Sequence, residues 1–330
     1  MNIMRQYDEI VSSRFQSVSA LSHKADFFRR SVDNIFFRDS DTFMKGPQGQ
    51  GSLSVAWWNT SVSPYGNGKS DVDRSRVLKT IFDLSDANDL VGLGEFDDEC
   101  LAETIRGQLP RYKKFKSLYY ESGKLKFKTA LIYDLRQVEP IDIDEAQSNL
   151  VKADVATIFR QYRIGQKARF RIRSLDALVD VYLIHWSQKN EPLGEDKKYA
   201  AAARLNRDIF GNEQCRMKDA TAIVMGDFNS EPCSRVFIPL NVSRSSQYVK
   251  REGGLYNPFW RRLHDEVGTL NEGNYDDIRC DQVLFDSIMV TSNFMWLPHC
   301  KWQERVYGCN FYSPKPTEHR PVGLKITWRK

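Results

Sequence analysis

The segment Met225-Gly226-Asp227-Phe228-Asn229-Ser230-Glu231-Pro232 closes an almost uninterrupted apolar run, Ala222 to Phe228. Side chains at i and i+2 of an extended backbone point to the same side. Asp227 and Asn229 therefore offer one carboxylate and one amide to a single small target, Gly226 permits close approach, and Pro232 ends the extended segment. A Gly-Asp-x-Asn sequence also serves as an Asx-type turn at a strand end, so the motif alone leaves both readings open. Three other apolar runs end in the same manner: Leu53 to Trp58 in the amide of Asn59, Leu90 to Gly94 in the carboxylate of Glu95, and Val181 to Ile184 in the imidazole of His185. Taken singly, Asn59 and Glu95 read as turn or cap residues and His185 as a satisfied interior histidine. Four such polar groups in one chain of alternating elements are harder to explain as caps alone, and strand ends are where α/β folds build their sites.

These residues need strands to carry them, and the pattern supplies strands from Leu53 onward. Leu53 to Asn59, Leu90 to Glu95, Ala222 to Phe228, Gln282 to Val290 and Val322 to Trp328 read as strands. Phe115 to Glu121 with Leu125 to Tyr133, and Ala168 to Arg173 with Val179 to Trp186, read as two hairpins. Asp71 to Ala87, Asp98 to Leu109 and Lys197 to Ile209 carry helical periodicity. Helices among buried strands, together with hairpins, predict an α/β (α+β) fold with a mixed sheet and helices outside. Two sheet halves of similar content would suit a sandwich.

Residues 1 to 50 differ: Tyr7, Ile10, Val11, Phe15, Val18 and Leu21, then Phe27, Phe28, Val32, Ile35 and Phe36, recur at helical steps, and the turn-rich Gly46-Pro47-Gln48-Gly49-Gln50-Gly51 follows. They are expected to form a helical N-terminal extension and linker, either packed as an appendage or used for a protein or self contact, ahead of a domain over residues 51–330. The length, 330 residues, allows one large or two ordinary domains, and 41% hydrophobic with 28% charged residues excludes disordered and collagen-like classes. No apolar run approaches the ~20 residues of a membrane span, and Met1 to Glu9 carries no apolar core of a signal peptide. A cytoplasmic location is the expectation. Six cysteines without a C-x-x-C pair are expected to be reduced and mostly buried, holding no structural zinc.

In order, Trp58-Asn59, Gly94-Glu95, Ile184-His185, Gly226-Asp227-Phe228-Asn229, Arg279-Cys280-Asp281-Gln282 and Thr317-Glu318-His319-Arg320-Pro321-Val322 resemble the strand-end motifs of the endonuclease/exonuclease/phosphatase superfamily. That group includes deoxyribonuclease I, abasic-site endonucleases, sphingomyelinases and inositol-polyphosphate phosphatases. Leu255 to Trp260 ahead of Asp281-Gln282-Val283-Leu284 is similar to a bacterial branch. The resemblance implies a four-layered α/β/β/α sandwich, deoxyribonuclease I-like, and a phosphodiester hydrolase dependent on Mg²⁺ or Mn²⁺. It implies Glu95 as metal carboxylate with Asn59 beside it. Glu318, which replaces the usual Asp of the last motif, would help to hold the metal or orient His319. Asp227 would orient or deprotonate the attacking water, and Asn229 would fix the phosphate. His319 would face that phosphate with its other ring nitrogen held by Asp281, and His185 would act as general acid or hydrogen-bond donor.

The net charge of +5 is small, but the basic residues are grouped. Arg160, Arg163, Lys167, Arg169, Arg171 and Arg173 form one stretch, Lys124, Lys126 and Lys128 a second, and Arg111, Lys113, Lys114 and Lys116 a third. Such alternation commonly marks a half-buried strand with a solvated face; three stretches together suit a groove that tracks phosphates. Lys128, Arg169, Arg171, Arg173 and Lys189 are the candidate contacts, and DNA or RNA is the expected substrate and partner. The alternatives are a phosphatase or phosphodiesterase of a small or lipid phosphate ester, and a catalytically impaired binding scaffold.

Overall fold

The computed structural model describes residues 50–62, 73–118, 120–122, 125–141, 164–186, 194–211, 220–264, 268–272, 281–307, 317 and 319–329. All belong to one unit, Gln50–Lys330; the helical extension expected over residues 1 to 50 lies outside them except at Gln50, which opens the first strand. That strand is β1 (Gln50–Asn59). Helix α1 (Arg74–Ala87) begins where the Asp73 carboxylate accepts the N–H groups of Ser75 and Arg76, relieving orphan donors of the first turn. After β2 (Leu90–Gly94), Asp98 caps α2 (Glu99–Gln108) in the same way through Leu101 N–H. The expected hairpin over Phe115 to Tyr133 is broken into β3 (Lys113–Ser117), β4 (Tyr120–Ser122), β5 (Leu125–Phe127) and β6 (Ala130–Asp134). β3 pairs with β6 in a large sheet, and β4 with β5 in a separate ribbon.

Next come β7 (Val138–Pro140), β8 (Gln166–Ile172) and β9 (Ala177–His185). Helix α3 (Gly194–Phe210) and β10 (Ala222–Asp227) follow. β11 (Val242–Ser243), α4 (Ser246–Glu252), β12 (Leu255–Tyr256) and β13 (Leu270–Glu272) come next. The single strand expected over Gln282 to Val290 is two, β14 (Asp281–Val283) and β15 (Asp286–Thr291), and β16 (Lys301–Val306) and β17 (Val322–Arg329) complete the chain. The interruption falls at Leu284-Phe285, where the Thr269 hydroxyl accepts the N–H groups of both Phe285 and Asp286 at 3.1 and 3.0 Å.

Two mixed sheets result, one in the order β16-β17-β1-β2-β6-β3 and the other β11-β12-β15-β10-β9-β8-β7. Their alternating side chains define the layers. Leu53, Val55 and Trp57 of the first sheet pack with Val181, Leu183, Ile223, Met225, Ile288 and Val290 of the second, forming the inter-sheet core. The opposite residues, Ala56, Trp58, Val91 and Leu93, pack on Val77 and Ile81 of α1 and Leu101 and Ile105 of α2. Tyr182, Ile184, Val224 and Met289 pack on Ala201, Ala202 and Leu205 of α3. This is the expected α/β/β/α sandwich.

Two sequence expectations change here. Lys113, grouped above with a basic stretch, is buried and turns its ammonium onto the carbonyls of Ser85 and Asn88, closing the C-terminus of α1. Burial pushes its pKa down. Among the described cysteines, Cys100 and Cys233 are exposed and Cys300 is half-buried; the first sits in the opening turn of α2 and the second in a turn after Pro232, positions that no core layer covers. The strands β9 and β10 approach so closely at Gly226 that an added Cβ would stand 2.1 Å from the Ile184 carbonyl oxygen. Gly226→Ala should therefore destabilise the protein by about 3 kcal/mol or more, as overpacking of a backbone contact does, and denaturant unfolding measures the loss.

Candidate active site

Each inter-sheet row of apolar residues ends, at one edge of the sandwich, in a polar side chain. On β1 the row Leu53, Val55, Trp57 continues to Asn59; on β9, Val181 and Leu183 continue to His185; on β10, Ile223 and Met225 continue to Asp227. β15 runs antiparallel to β10, so its row Ile288, Val290 begins with Asp286, directly across from Asp227. His185 is the partner of Asp227 on the other side. Glu95 follows β2 with a positive φ of 49°, a left-handed turn that takes its carboxylate off the strand line. His319 precedes β17, and the Trp58 indole N–H holds its carbonyl at 3.1 Å.

The side chains meet. Asn59 Nδ2 donates to Glu95 Oε1 at 3.2 Å and to Asp227 Oδ2 at 3.1 Å. His185 Nε2 lies 3.4 Å from Glu95 Oε1 and 4.0 Å from Asp227 Oδ2. His319 Nε2 stands 3.7 Å from the same Asp227 oxygen, while its Nδ1 donates to Asp286 Oδ2 at 2.8 Å. Asp227 Oδ1 accepts the backbone N–H of Asn229 at 2.9 Å. Asn229, with φ 47°, gives its side-chain amide to the Trp186 carbonyl, and buried Lys198 donates to the Asn229 carbonyl at 2.6 Å. Asn229 thus shapes the turn that holds Asp227, a local role beside the phosphate contact expected from the sequence.

The residue at His319 Nδ1 is Asp286 rather than Asp281. Asp281 is the first residue of β14, paired with Glu272 in a two-stranded ribbon. A run read as one strand concealed the break that makes Asp286 the head of a new one. The signal was present, since Asp286 is an acid at the end of an apolar run like Asp227 and Glu95. Trp57, which the sequence placed only in the apolar run Leu53 to Trp58, was missed as a polar contributor: its indole N–H donates to the second oxygen of Asp286 at 2.9 Å. Glu318 and Lys189 lie outside the described residues.

The strand-borne arginines are not brought to this edge. Ala168, Phe170 and Ile172 face the inter-sheet core, so Arg169, Arg171 and Arg173 face outward. Arg171 pairs across with Leu178, seven positions before His185, which is roughly 20 Å along a strand. Arg169 is bonded to Asp180, Arg171 to Asp176, and Arg173 lies 3.8 Å from Glu139. Lys128 does lie near the site, because its carbonyl accepts the Phe96 N–H, and its ammonium pairs with Asp97 at 2.6 Å.

Burial opposes a proton on His319, but the negative charges of Asp286, Asp227 and Glu95 and the hydrogen bond to Asp286 outweigh it and raise the pKa from 6.5 to about 9. Asp227, Asp286 and His319 each bring a potential metal-donor atom within 4.8 Å of the others. His319 Nδ1 and Asp286 Oδ2 already bond one another, however, and Asp286 Oδ1 is taken by Trp57. Glu95 is different: its side chain is 30% exposed, and among the described residues only one of its oxygens is engaged. Three carboxylates therefore face one imidazolium, with no Lys or Arg bridging to them among the described residues. An oxygen-rich site with this charge excess fits a hard divalent cation.

A group whose pKa is raised on folding adds stability in full below its unfolded value and loses it as pH rises through the folded one. For His319 that window runs from 6.5 to about 9. In chelator-treated protein the thermal midpoint should fall more steeply between pH 7 and 10 for the wild type than for His319→Gln; parallel curves would refute the assignment.

Comparison with known proteins places the chain. The Endonuclease/Exonuclease/phosphatase family model matches residues 58–313. No curated protein sequence matches the chain. An endonuclease/exonuclease/phosphatase family protein from Bacteroides thetaiotaomicron has the same fold at 15% identity and TM-score 0.56, over 84% of this chain and 96% of that one. A mannosyl-6-phosphatase of the same organism is similar at 15% identity and TM-score 0.54, over 83% and 99%. D. rerio TDP2 complexed with a single strand DNA product is similar at 15% identity and TM-score 0.53, over 84% and 99%. With that family model matching most of its length, the chain belongs to the endonuclease/exonuclease/phosphatase family.

Proposed function

We propose that this protein is a divalent-metal-dependent phosphodiester hydrolase. The observation that carries the reading is the convergence of Asn59, Glu95, His185, Asp227 and the His319–Asp286 pair on one edge of the sandwich. Glu95, with Asn59 and Glu318, would hold Mg²⁺ or Mn²⁺, which when bound neutralises charge on the phosphoryl oxygens. Asp227 takes the proton of the attacking water or orients it, held for that purpose by the Asn229 N–H and Asn59. His319, whose proton the surrounding carboxylates favour and which Asp286 grips from behind, directs its Nε2–H towards the phosphate oxygens that would lie against Asp227. His185 stands on the other flank and donates to the phosphate or the leaving oxygen.

Nucleic acid is the first substrate class to test; a neighbour of the same fold carries a single strand DNA product. A small phosphate ester is the second, favoured by one observation: the arginines read as backbone contacts face outward and are matched by acids. Another neighbour is a sugar phosphatase.

Purified full-length protein with Mg²⁺ or Mn²⁺ should be offered single- and double-stranded DNA, RNA, an abasic duplex, inositol phosphates and a generic diester. Metal-dependent turnover is expected, reduced about 10²- to 10⁴-fold by Asp227→Ala or His319→Ala. Undiminished turnover in a folded Asp227→Ala protein overturns the assignment, and absence of any metal-dependent hydrolysis favours the binding scaffold. A steep fall in affinity with salt marks a polynucleotide substrate, and a flat response marks a small one.

A further inference from the structure

Asp286 has no exposed surface, yet its carboxylate is the support on which His319 rests. The terminal torsion of an aspartate is soft and roughly two-fold, so one hydrogen bond to one oxygen leaves the carboxylate plane free to rock. Here both oxygens are bonded, by donors that reach across from β1 and from the segment just before its neighbour β17. Oδ2 accepts His319 Nδ1, and Oδ1 accepts the Trp57 indole N–H, 229 positions away in sequence. Indole is a donor with no competing acceptor, so this contact has one sense only.

The indole is itself held in a slot. Trp57 is fully buried and pairs with Gly92 across β1 and β2. A Cβ at Gly92 would come within 2.9 Å of the ring, and one at Gly94 within 2.6 Å. Two bare positions on β2 therefore admit the ring face, and any side chain there would displace it. The pattern Gly92-Leu93-Gly94 is accounted for by a bulky ring seated at a fixed depth, with its N–H aimed at Asp286. Packing alone explains an apolar ring in this place; it does not explain why the nitrogen meets the one oxygen that His319 leaves open.

We propose that Trp57 is a positioning residue of the site: its N–H fixes the plane of the Asp286 carboxylate and, through it, the direction in which His319 presents Nε2. The proposal deepens the hydrolase reading above and rests on it for the kinetic consequence, whereas the structural consequence stands without it.

Histidine-¹⁵N-labelled, metal-free full-length protein is observed by NMR at neutral pH. Wild type should show a low-field Nδ1–H resonance lost in Asp286→Asn, which assigns it to His319. Trp57→Phe keeps an aromatic ring and removes the donor; replacement of Trp57 by 3-benzothienylalanine keeps the bicyclic shape and puts sulfur in place of N–H. Both should broaden or abolish the resonance while near-ultraviolet dichroism and the thermal midpoint of the benzothienyl protein stay close to wild type. With whichever phosphodiester the panel identifies, kcat should fall about 10- to 100-fold with KM little changed, the range seen when a support of a site ligand is removed. An unchanged resonance and kcat in the benzothienyl protein overturn the proposal. A lost resonance in a protein that hydrolyses nothing upholds the positioning and discards the hydrolase reading.

Discussion

An aspartate sealed between two apolar sheets has to be supplied with donors, because an unpaired carboxylate there would cost several kcal/mol. Asp286 receives two, the Trp57 indole and the His319 imidazole, and its own backbone N–H donates to the Thr269 hydroxyl, which bends the chain into place. Satisfying that one residue aligns β1, β15 and the segment before β17 with respect to one another. The remaining polar groups then fall around Asp227, with Asn59 and His185 approaching from neighbouring strands and His319 from the front. The inter-sheet layer thus changes from hydrocarbon to hydrogen bonds over a single residue step, and the site is the end face of the core.

The turns that complete this face are strained in a consistent manner. Glu95 and Asn229 both adopt left-handed φ without being glycine, a conformation that persists only where surroundings over-determine it. Thr60 donates to the carbonyl of Gly94 at 2.9 Å, and Lys198 to that of Asn229 at 2.6 Å. Each bond supports a turn through its backbone carbonyl, so the carboxylate of Glu95 and, through the Asn229 N–H, that of Asp227 project from supported backbone.

Four of the site residues were legible because they obey one rule: a period-two apolar row whose next same-face position is polar. Asn59, His185 and Asp227 follow it directly, and Glu95 follows it by one step. Asp286 obeys it too, but Val283, Leu284 and Phe285 are as apolar as any strand and concealed where β15 begins; the Thr269 hydroxyl that sets the break is a tertiary contact. Trp57 was hidden because a strand tryptophan is normally core, which it also is. The arginines of β8 show the opposite difficulty. Their alternation identified a solvated face, but alternation does not say which side of a two-sheet sandwich is outward. Nor does it reveal that Asp180, across from Arg169 on the adjoining arm, and Asp176, in the turn between the arms, pair with them. The interrupted hairpin from β3 to β6 has a comparable cause, since Gln166 of β8 bonds Thr129 and the Leu118 carbonyl where it splits.

β17 lies between β16 and β1 in the first sheet, and the residue that directs Nε2 at Asp227 stands just before it. A chain leaving the ribosome can lay down β1, β2, β9, β10 and β15 and still lack both the strand that fills the gap and His319. The six-stranded sheet closes only when the last strand inserts beside the first, a pairing between residues some 270 positions apart of the kind that forms late and slowly. Until that insertion, the nascent protein would hold its carboxylates and Asn59 without the imidazolium, so synthesis itself would withhold a complete site until the domain is finished.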